Sequence, residues 1–204
     1  MTCIINQPMS ENTYIFSDEN KNAVVIDPGF ETDKTLAKIK ELELNIVAIL
    51  LTHGHFDHAY NIHELKQQTN APVWAHSLER PILTCSKANA SIKYCETPFE
   101  VHPDSYFEEG GRDFGGINVR IIHTPGHTQG SCCFLFENHN MLVTGDTLFH
   151  TGIGRSDLAT GNQAELENSI RNKIFTLPGN TIVLPGHGKK STVDFEKANN
   201  PYVK

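Results

Sequence analysis

Four side chains of metal-ligand type fall within six residues of the segment LLTHGHFDHAYN, residues 50–61: His53, His55, Asp57 and His58. They follow directly on the apolar run Ile46–Leu51, so a buried strand ends in a set of polar groups that are costly to bury unless something satisfies them. In an extended segment, residues two apart point the same way. His53 and His55 can therefore reach one metal ion together. Asp57 and His58 are adjacent at the start of an expected helix and are aimed elsewhere, which is most simply explained by a second ion. Gly54 removes a side chain from between the two histidines.

Four more segments have the same form, an apolar strand running into a polar group. VRIIHTPGHT delivers His127, MLVTGDT delivers Asp146, TIVLPGHG delivers His187 and AVVIDPG delivers Asp27. Strand ends are rigid, and the loops leaving them are where sites are built. The set divides into His53, His55 and His127 for one ion and Asp57, His58 and His187 for the other. Asp146 can bridge, since a carboxylate has two oxygens. Imidazole and carboxylate without thiolate suit zinc, with iron or manganese also compatible. Asp27 stands outside the ligand set, as an acceptor that orients the first loop. The histidines at 63, 76, 102, 139 and 150 read as surface or satisfied core groups. His123, four residues before His127, is left between that role and a supporting one. Cys132 and Cys133 lie inside an apolar strand and read as packing residues.

The elements that must hold these groups alternate along the chain. Short strands are expected at 3–8, 13–18 and 22–27, the last ending in the turn Asp27-Pro28-Gly29. A helix follows at 32–44, with Leu36, Ile39 and Leu42 three apart, then an apolar strand at 47–51, a helix at 59–69 and a strand at 72–75. Residues 77–104 mix helical fragments with Pro81, Pro98 and Pro103, a pattern that suits a lid or pocket wall better than a core strand. Strands resume at 117–123, 131–136 and 140–144, with a hairpin turn at Asn138-His139. A helix at 163–175, a strand at 181–184 and a short tail complete the chain. Two similar halves, each a sheet with helices on one side, predict a layered α/β sandwich, read as one domain over residues 1–204. Periodicity alone does not say that the sheets face each other.

The 204 residues are 38% hydrophobic, enough for one sizeable core. A formal net charge of −7 argues against a nucleic-acid-coating surface. Small anionic substrates stay open, since a metal supplies local positive charge. The N-terminus MTCIINQPMSENTYIF does not read as a signal peptide, and no apolar run approaches the roughly 18 residues of a membrane span. Five cysteines without a C-x-x-C pair speak against a disulfide framework and for a reducing cytoplasm.

THGHFDH, PGHTQGS, TGDTLF and PGHG, in this order, resemble the metallo-β-lactamase superfamily, from about Asn12 to the C-terminus. The resemblance implies a four-layer αββα sandwich with a dinuclear site at one edge. Within the superfamily, TGIGRSDL, the helix ending KIFTLPG and the tail STVDFEKANNPY are similar to single-domain relatives of glyoxalase II, the hydroxyacylglutathione hydrolases. That implies hydrolysis of a small-molecule thioester of the S-acylglutathione type by a hydroxide held between two metal ions, with Asp57 also taking the proton of the attacking water. Full-length glyoxalase II carries a helical extension that helps bind glutathione, whereas only residues 188–204 follow His187 here. A weak grip on the glutathione moiety is therefore expected. Zinc β-lactamases lack a bridging aspartate such as Asp146 and are normally exported, which points away from them.

The nearest enzyme rival is a persulfide dioxygenase with one iron held by the equivalents of His53, His127 and Asp146; it shares a GR-x-D stretch like Gly154-Arg155-Ser156-Asp157. A non-catalytic metal-binding protein is the alternative from another class. Seven ligands for two ions leave coordination positions open, which favours catalysis. Arg155 and Asp157 are expected to brace the loop after Asp146 as an ion pair. The sequence says nothing of oligomeric state.

Overall fold

The computed structural model describes residues 1–203. The chain opens with three antiparallel strands, β1 (Thr2–Asn6), β2 (Glu11–Ser17) and β3 (Asn22–Ile26). Helix α1 (Thr32–Glu41) crosses over to β4 (Asn45–Leu50), which runs parallel to β3. Two short helices, α2 (Phe56–Ala59) and α3 (Ile62–Thr69), lead to β5 (Val73–His76). Helices α4 (Arg80–Leu83) and α5 (Ser91–Tyr94) then precede β6 (Ser105–Phe107), and the first sheet has the order β1 to β6.

The second sheet begins with the antiparallel strands β7 (Gly110–Phe114), β8 (Ile117–His123), β9 (Cys132–Phe136) and β10 (Met141–Gly145). A small ribbon, β11 (Leu148–Phe149) and β12 (Gly152–Ile153), and helix α6 (Gln163–Ser169) separate these from β13 (Ile182–Pro185), which returns parallel to β10. β14 (Ser191–Thr192) closes the far edge and α7 (Val193–Asn199) follows it.

Period-two alternation sorts the strand residues into three apolar layers. Ala48 and Leu50 of β4 join Val119 and Ile121 of β8, Phe134 of β9 and Leu184 of β13 in one cluster, so the two sheets face each other. Ile49 and Leu51 point the other way, to Ile39 of α1 and Ile62 and Leu65 of α3. Cys133, Leu142 and Val183 meet Leu166 of α6 and Val193 of α7 on the opposite outer face. The result is a four-layer αββα sandwich, and the rings of Phe16 and Phe136 stack across its middle with centroids 3.6 Å apart. Cys132 and Cys133 are fully buried in these layers, as packing predicts.

Several elements differ from the sequence reading. The expected helix at 59–69 is two helices. The first begins at Phe56, three residues early, and so includes Asp57 and His58. The helix at 163–175 ends in a wide turn over Ile170–Ile174. The hairpin turn at Asn138-His139 is a single tight turn, Glu137–His139, closed by Asn140 in the left-handed region (φ 51°). β6 and β7 went unread because Ser105–Phe107 is very short and β7 is Gly-rich and mostly exposed. The tail carries a helix: Thr192 caps α7 by accepting from the Phe195 amide, and Val193 is buried.

Residues 77–104 do more than cover a site. Ile82 and Leu83 are fully buried, and the Phe56 amide donates to the Asn89 carbonyl at 2.9 Å. The segment's exposed large apolar side chains are Leu78 and, in α5, Ile92 and Tyr94, which suit a wall.

Candidate metal centre

Parallel neighbours β3 and β4 deliver their C-terminal ends side by side. Asp27, at the end of β3, accepts from the Thr52 amide at 2.7 Å and the Thr52 hydroxyl at 2.6 Å, fixing the chain just before His53. From the second sheet, β8 leads to His127, β10 to Asp146 and β13 to His187. The His187 loop is pinned across the seam by the first sheet: Asn12 donates from its backbone to the Gly186 carbonyl at 2.7 Å, and Tyr14 donates its hydroxyl to the Pro185 carbonyl at 2.8 Å. Two glycines make the approach possible. A Cβ at Gly186 would lie 2.4 Å from Asp146 Oδ1, and one at Gly145 (φ +48°) would lie 2.3 Å from Thr52 Oγ1.

All seven side chains expected from the sequence converge at this seam. His53, His55 and His127 place one ring nitrogen each within 4.8 Å of one another, and Asp57, His58 and His187 do the same with their ligand atoms. Asp146 lies between the two groups. Its Oδ1 is 3.3 Å from His58 Nε2 and 3.7 Å from His187 Nε2, while its Oδ2 is 3.6 Å from His127 Nε2. Asp27, His53 and His58 form a third group of suitable spacing, but both Asp27 oxygens already accept hydrogen bonds.

The surroundings fix which nitrogens present lone pairs. A carbonyl oxygen can only accept, so His127 Nδ1, 2.7 Å from the Arg155 carbonyl, carries the proton and Nε2 is free. His187 Nδ1 donates to the Met9 carbonyl at 3.2 Å, and His58 Nδ1 to Asp27 Oδ2 at 3.0 Å. His58 Nε2 and His187 Nε2 then face each other at 3.3 Å, and His127 Nε2 faces His55 Nδ1 at 2.9 Å. The opposed His58 and His187 lone pairs call for a proton or a cation between them, whereas a proton on His55 Nδ1 can be donated to His127 Nε2. In addition, His53 Nε2, His55 Nε2 and Asp146 Oδ1 are buried without a hydrogen-bond partner, which is unfavourable for a polar atom. Divalent ions at the two groups would satisfy these atoms, so the residues fit a metal centre.

The electrostatics agree. Burial holds His53 and His127 below the ordinary imidazole range and His55 down to about 3, so all three are neutral and ready to ligate. Burial also opposes the His58 cation, yet the carboxylates of Asp146 and Asp57 outweigh it and raise His58 well above its usual value. His187 is raised against burial by its hydrogen bond to Asp57. Despite burial, His58 and His187 hold Asp57 low, and His58, with His127 and His53, holds Asp146 lower still. Four carboxyl groups, those of Glu11, Asp27, Asp57 and Asp146, lie within 4 Å of the His58 ring nitrogens, a place that attracts positive charge.

A family model for the metallo-β-lactamase superfamily matches residues 6–187.

The chain belongs to the metallo-β-lactamase superfamily.

The chain is 35% identical to the hydroxyacylglutathione hydrolase GloC of Haemophilus influenzae, over 95% of this chain and 92% of that one. Among solved structures, BLEG-1, a B3 metallo-β-lactamase, superposes with a TM-score of 0.95 at 34% identity, covering 100% of this chain and 99% of that one. TTHA1623 in a di-iron-bound form superposes at 0.90 with 33% identity, over the whole of both chains. Membership makes the protein one of a superfamily of metal-dependent hydrolases of small molecules. No helix among the described residues is long and apolar enough to cross a membrane.

Other expectations resolve individually. Arg155 and Asp157 form a bidentate ion pair at 2.7 and 2.8 Å on the surface, while the backbone of Arg155 holds His127. His123 bonds to the Gln129 carbonyl and stacks on His76 at 4.4 Å, so it supports a loop and not a ligand. Among the buried acids that escaped the sequence reading are Glu11, which lies 3.8 Å from His58 Nδ1, and Glu79. Neither belongs to a motif, and an acid in a strand or a short turn reads as a surface group until the fold buries it.

Proposed function

We propose that residues 1–204 act as one domain that hydrolyses small-molecule thioesters, S-acylglutathione among them, at a two-metal centre. In this reading His53, His55 and His127 hold one ion, Asp57, His58 and His187 the other, and Asp146 bridges. The observation that carries it is the placement of Asp146, with one oxygen toward each group. Zinc is our first assignment, and the likeness to a di-iron-bound structure keeps iron in view. Bound ions would supply Lewis acidity and a water acidic enough, with a pKa near 7, to attack at neutral pH.

The protein's own groups complete the chemistry. Asp57, ionised and 3.2 Å from His187 Nε2, is our candidate to take up the proton of the attacking water. Asp27, Met9 and Arg155 keep His58, His187 and His127 in the tautomers that ligate. A thiol leaving group has a pKa of about 8.5 and departs as thiolate without a strong general acid. Burial raises the thiols of Cys132 and Cys133, the latter to about 11, so neither is a competing nucleophile. The likeness to a hydroxyacylglutathione hydrolase supports the thioester class.

A second reading, β-lactam hydrolysis, is favoured by one finding, the full-length likeness to a chain described as a B3 metallo-β-lactamase. The sequence had pointed away from it. The test is turnover by metal-quantified protein of S-lactoylglutathione, the same acyl group on a small thiol, a chromogenic β-lactam, and glutathione persulfide with oxygen uptake recorded. Hydrolysis of the thioesters with two ions bound is expected. Lactam cleavage without thioester cleavage would replace our proposal with the second reading, and oxygen consumption with a single iron would replace both.

A further inference from the structure

Glu79 is a carboxylic acid with no contact to solvent, in the segment HSLERPIL that follows β5. It sits at the end of a single tight turn, Ser77–Glu79, and α4 continues directly from it. Its Oε2 accepts from the Thr128 hydroxyl at 3.0 Å, and Thr128 is the residue after His127. Thr128 is itself held by Ser131, whose Oγ lies 2.6 Å from the Thr128 hydroxyl and accepts from its amide at 3.0 Å. The other carboxylate oxygen, Oε1, is buried without a hydrogen-bond partner.

The same short stretch presses on both loops that carry the first histidine group. A Cβ at Gly130 would lie 2.5 Å from the Glu79 amide nitrogen. A Cβ at Gly54, between His53 and His55, would lie 2.9 Å from Ile82 Cγ2 and from Leu83 Cγ. A buried carboxylate is a poor space-filler, since an apolar side chain of similar volume avoids its desolvation. What a carboxylate offers here is an acceptor oxygen for the Thr128 hydroxyl, in the loop after His127.

We propose that Glu79 is the positioning residue for the His53–His55–His127 group. Its carboxylate holds the loop after His127 through Thr128, while Ile82 and Leu83, three and four residues on, pack against Gly54 between His53 and His55, so that it sets the spacing of the first metal position. Among the described residues, no hydrogen bond links it to Asp57, His58 or His187, so its influence falls on one of the two positions. The inference rests on the metal-centre reading above.

The test measures zinc affinity by chelator competition in two single-site backgrounds. His187→Ala leaves the His53–His55–His127 position, and His55→Ala leaves the other. Into each go Glu79→Ala, Glu79→Gln and Thr128→Val. In the His187→Ala background, Glu79→Ala should weaken zinc by roughly 10–100-fold, the range for outer-shell partners. Thr128→Val should weaken it in the same direction by less. Glu79→Gln, which keeps one acceptor oxygen, should fall between the parent and Glu79→Ala. In the His55→Ala background all three should stay within about threefold, on the same outer-shell reasoning. Cobalt absorption of the His187→Ala protein should shift with the Glu79 variants as the ligand geometry loosens. Should Glu79→Ala fail to fold, Glu79→Gln and Thr128→Val decide the matter. Equal weakening at both positions, or none at either, overturns the proposal and leaves Glu79 a structural residue. If His187→Ala protein with Glu79 intact binds no zinc, the ligand reading itself fails and the link falls with it.

Discussion

Asp27 accepts the Nδ1 proton of His58 at 3.0 Å while holding the Thr52 hydroxyl on the same oxygen at 2.6 Å. One buried carboxylate thus sets the tautomer of a ligand in α2 and the direction of the chain that enters His53. Replacing it with Asn puts an amide where two donors need acceptors. Asp27→Asn should lower affinity for zinc by roughly 10–100-fold, with His58 the ligand most disturbed. Metal titration of the purified variant checks it. Unchanged affinity would mean that the His58 tautomer is set by something other than Asp27.

Asp146 is the only one of the seven candidate ligands whose two oxygens point at different histidine groups. Asp146→Ala should remove the bridge and lower both metal stoichiometry and turnover. Retention of two ions and near-normal rates would refute the bridging assignment. His139→Ala serves as the control. The residue lies in the exposed turn between β9 and β10, and its stability should stay within about 0.5 kcal/mol of the parent.

Tyr94 stacks on Phe56, which lies between His55 and Asp57, with ring centroids 5.0 Å apart. Its residue is half exposed, and the Lys93 ammonium sits 4.9 Å from its ring. A half-exposed ring packed on the residue between two candidate ligands suits contact with the apolar part of an acyl group. Tyr94→Ala should raise KM more for bulky acyl thioesters than for acetyl thioesters, leaving metal content intact. An equal change for both acyl groups would show that the ring is not a substrate surface.

Burial lifts Glu79 from the ordinary carboxyl value of 4.5 to about 7. Between those values the folded chain binds more protons at this residue than the unfolded chain. The associated stability is therefore complete below about 4.5 and is lost as pH rises through about 7. A difference of that size is worth about 3 kcal/mol. Urea unfolding of metal-free protein at pH 5 and pH 8 should show wild type losing more stability than Glu79→Gln by up to that amount. Equal losses would mean that Glu79 is already ionised at pH 5 in the fold.

The candidate ligands were legible one by one. A histidine or aspartate placed just after an apolar strand announces itself, because local pattern decides where strands end and strand ends are rigid. His53, His55, Asp57, His58, His127, Asp146 and His187 were all picked out as candidates this way, and the fully apolar run at 47–51 already read as a buried strand. The short or glycine-rich strands β6, β7 and β14 were not legible, since their pairing comes from neighbours and not from their own propensity. Nor was the start of α2 at Phe56, where the amide is taken up by Asn89, 33 residues on.

What only the tertiary structure decided is how separate segments meet. Sequence gives no distance between Glu79 and Thr128, or between Asp27 and His58, because hydrogen bonds between loops depend on the packing of the sheets that carry them. The facing of the two sheets through Leu50, Ile121 and Phe134 brings four strand-end loops to one seam. Burial at that seam then turns ordinary acids and imidazoles into groups with fixed tautomers and displaced pKa values. Residue types and spacing determined which atoms were available to hold metal, and the packing of one sheet on the other determined that they converge.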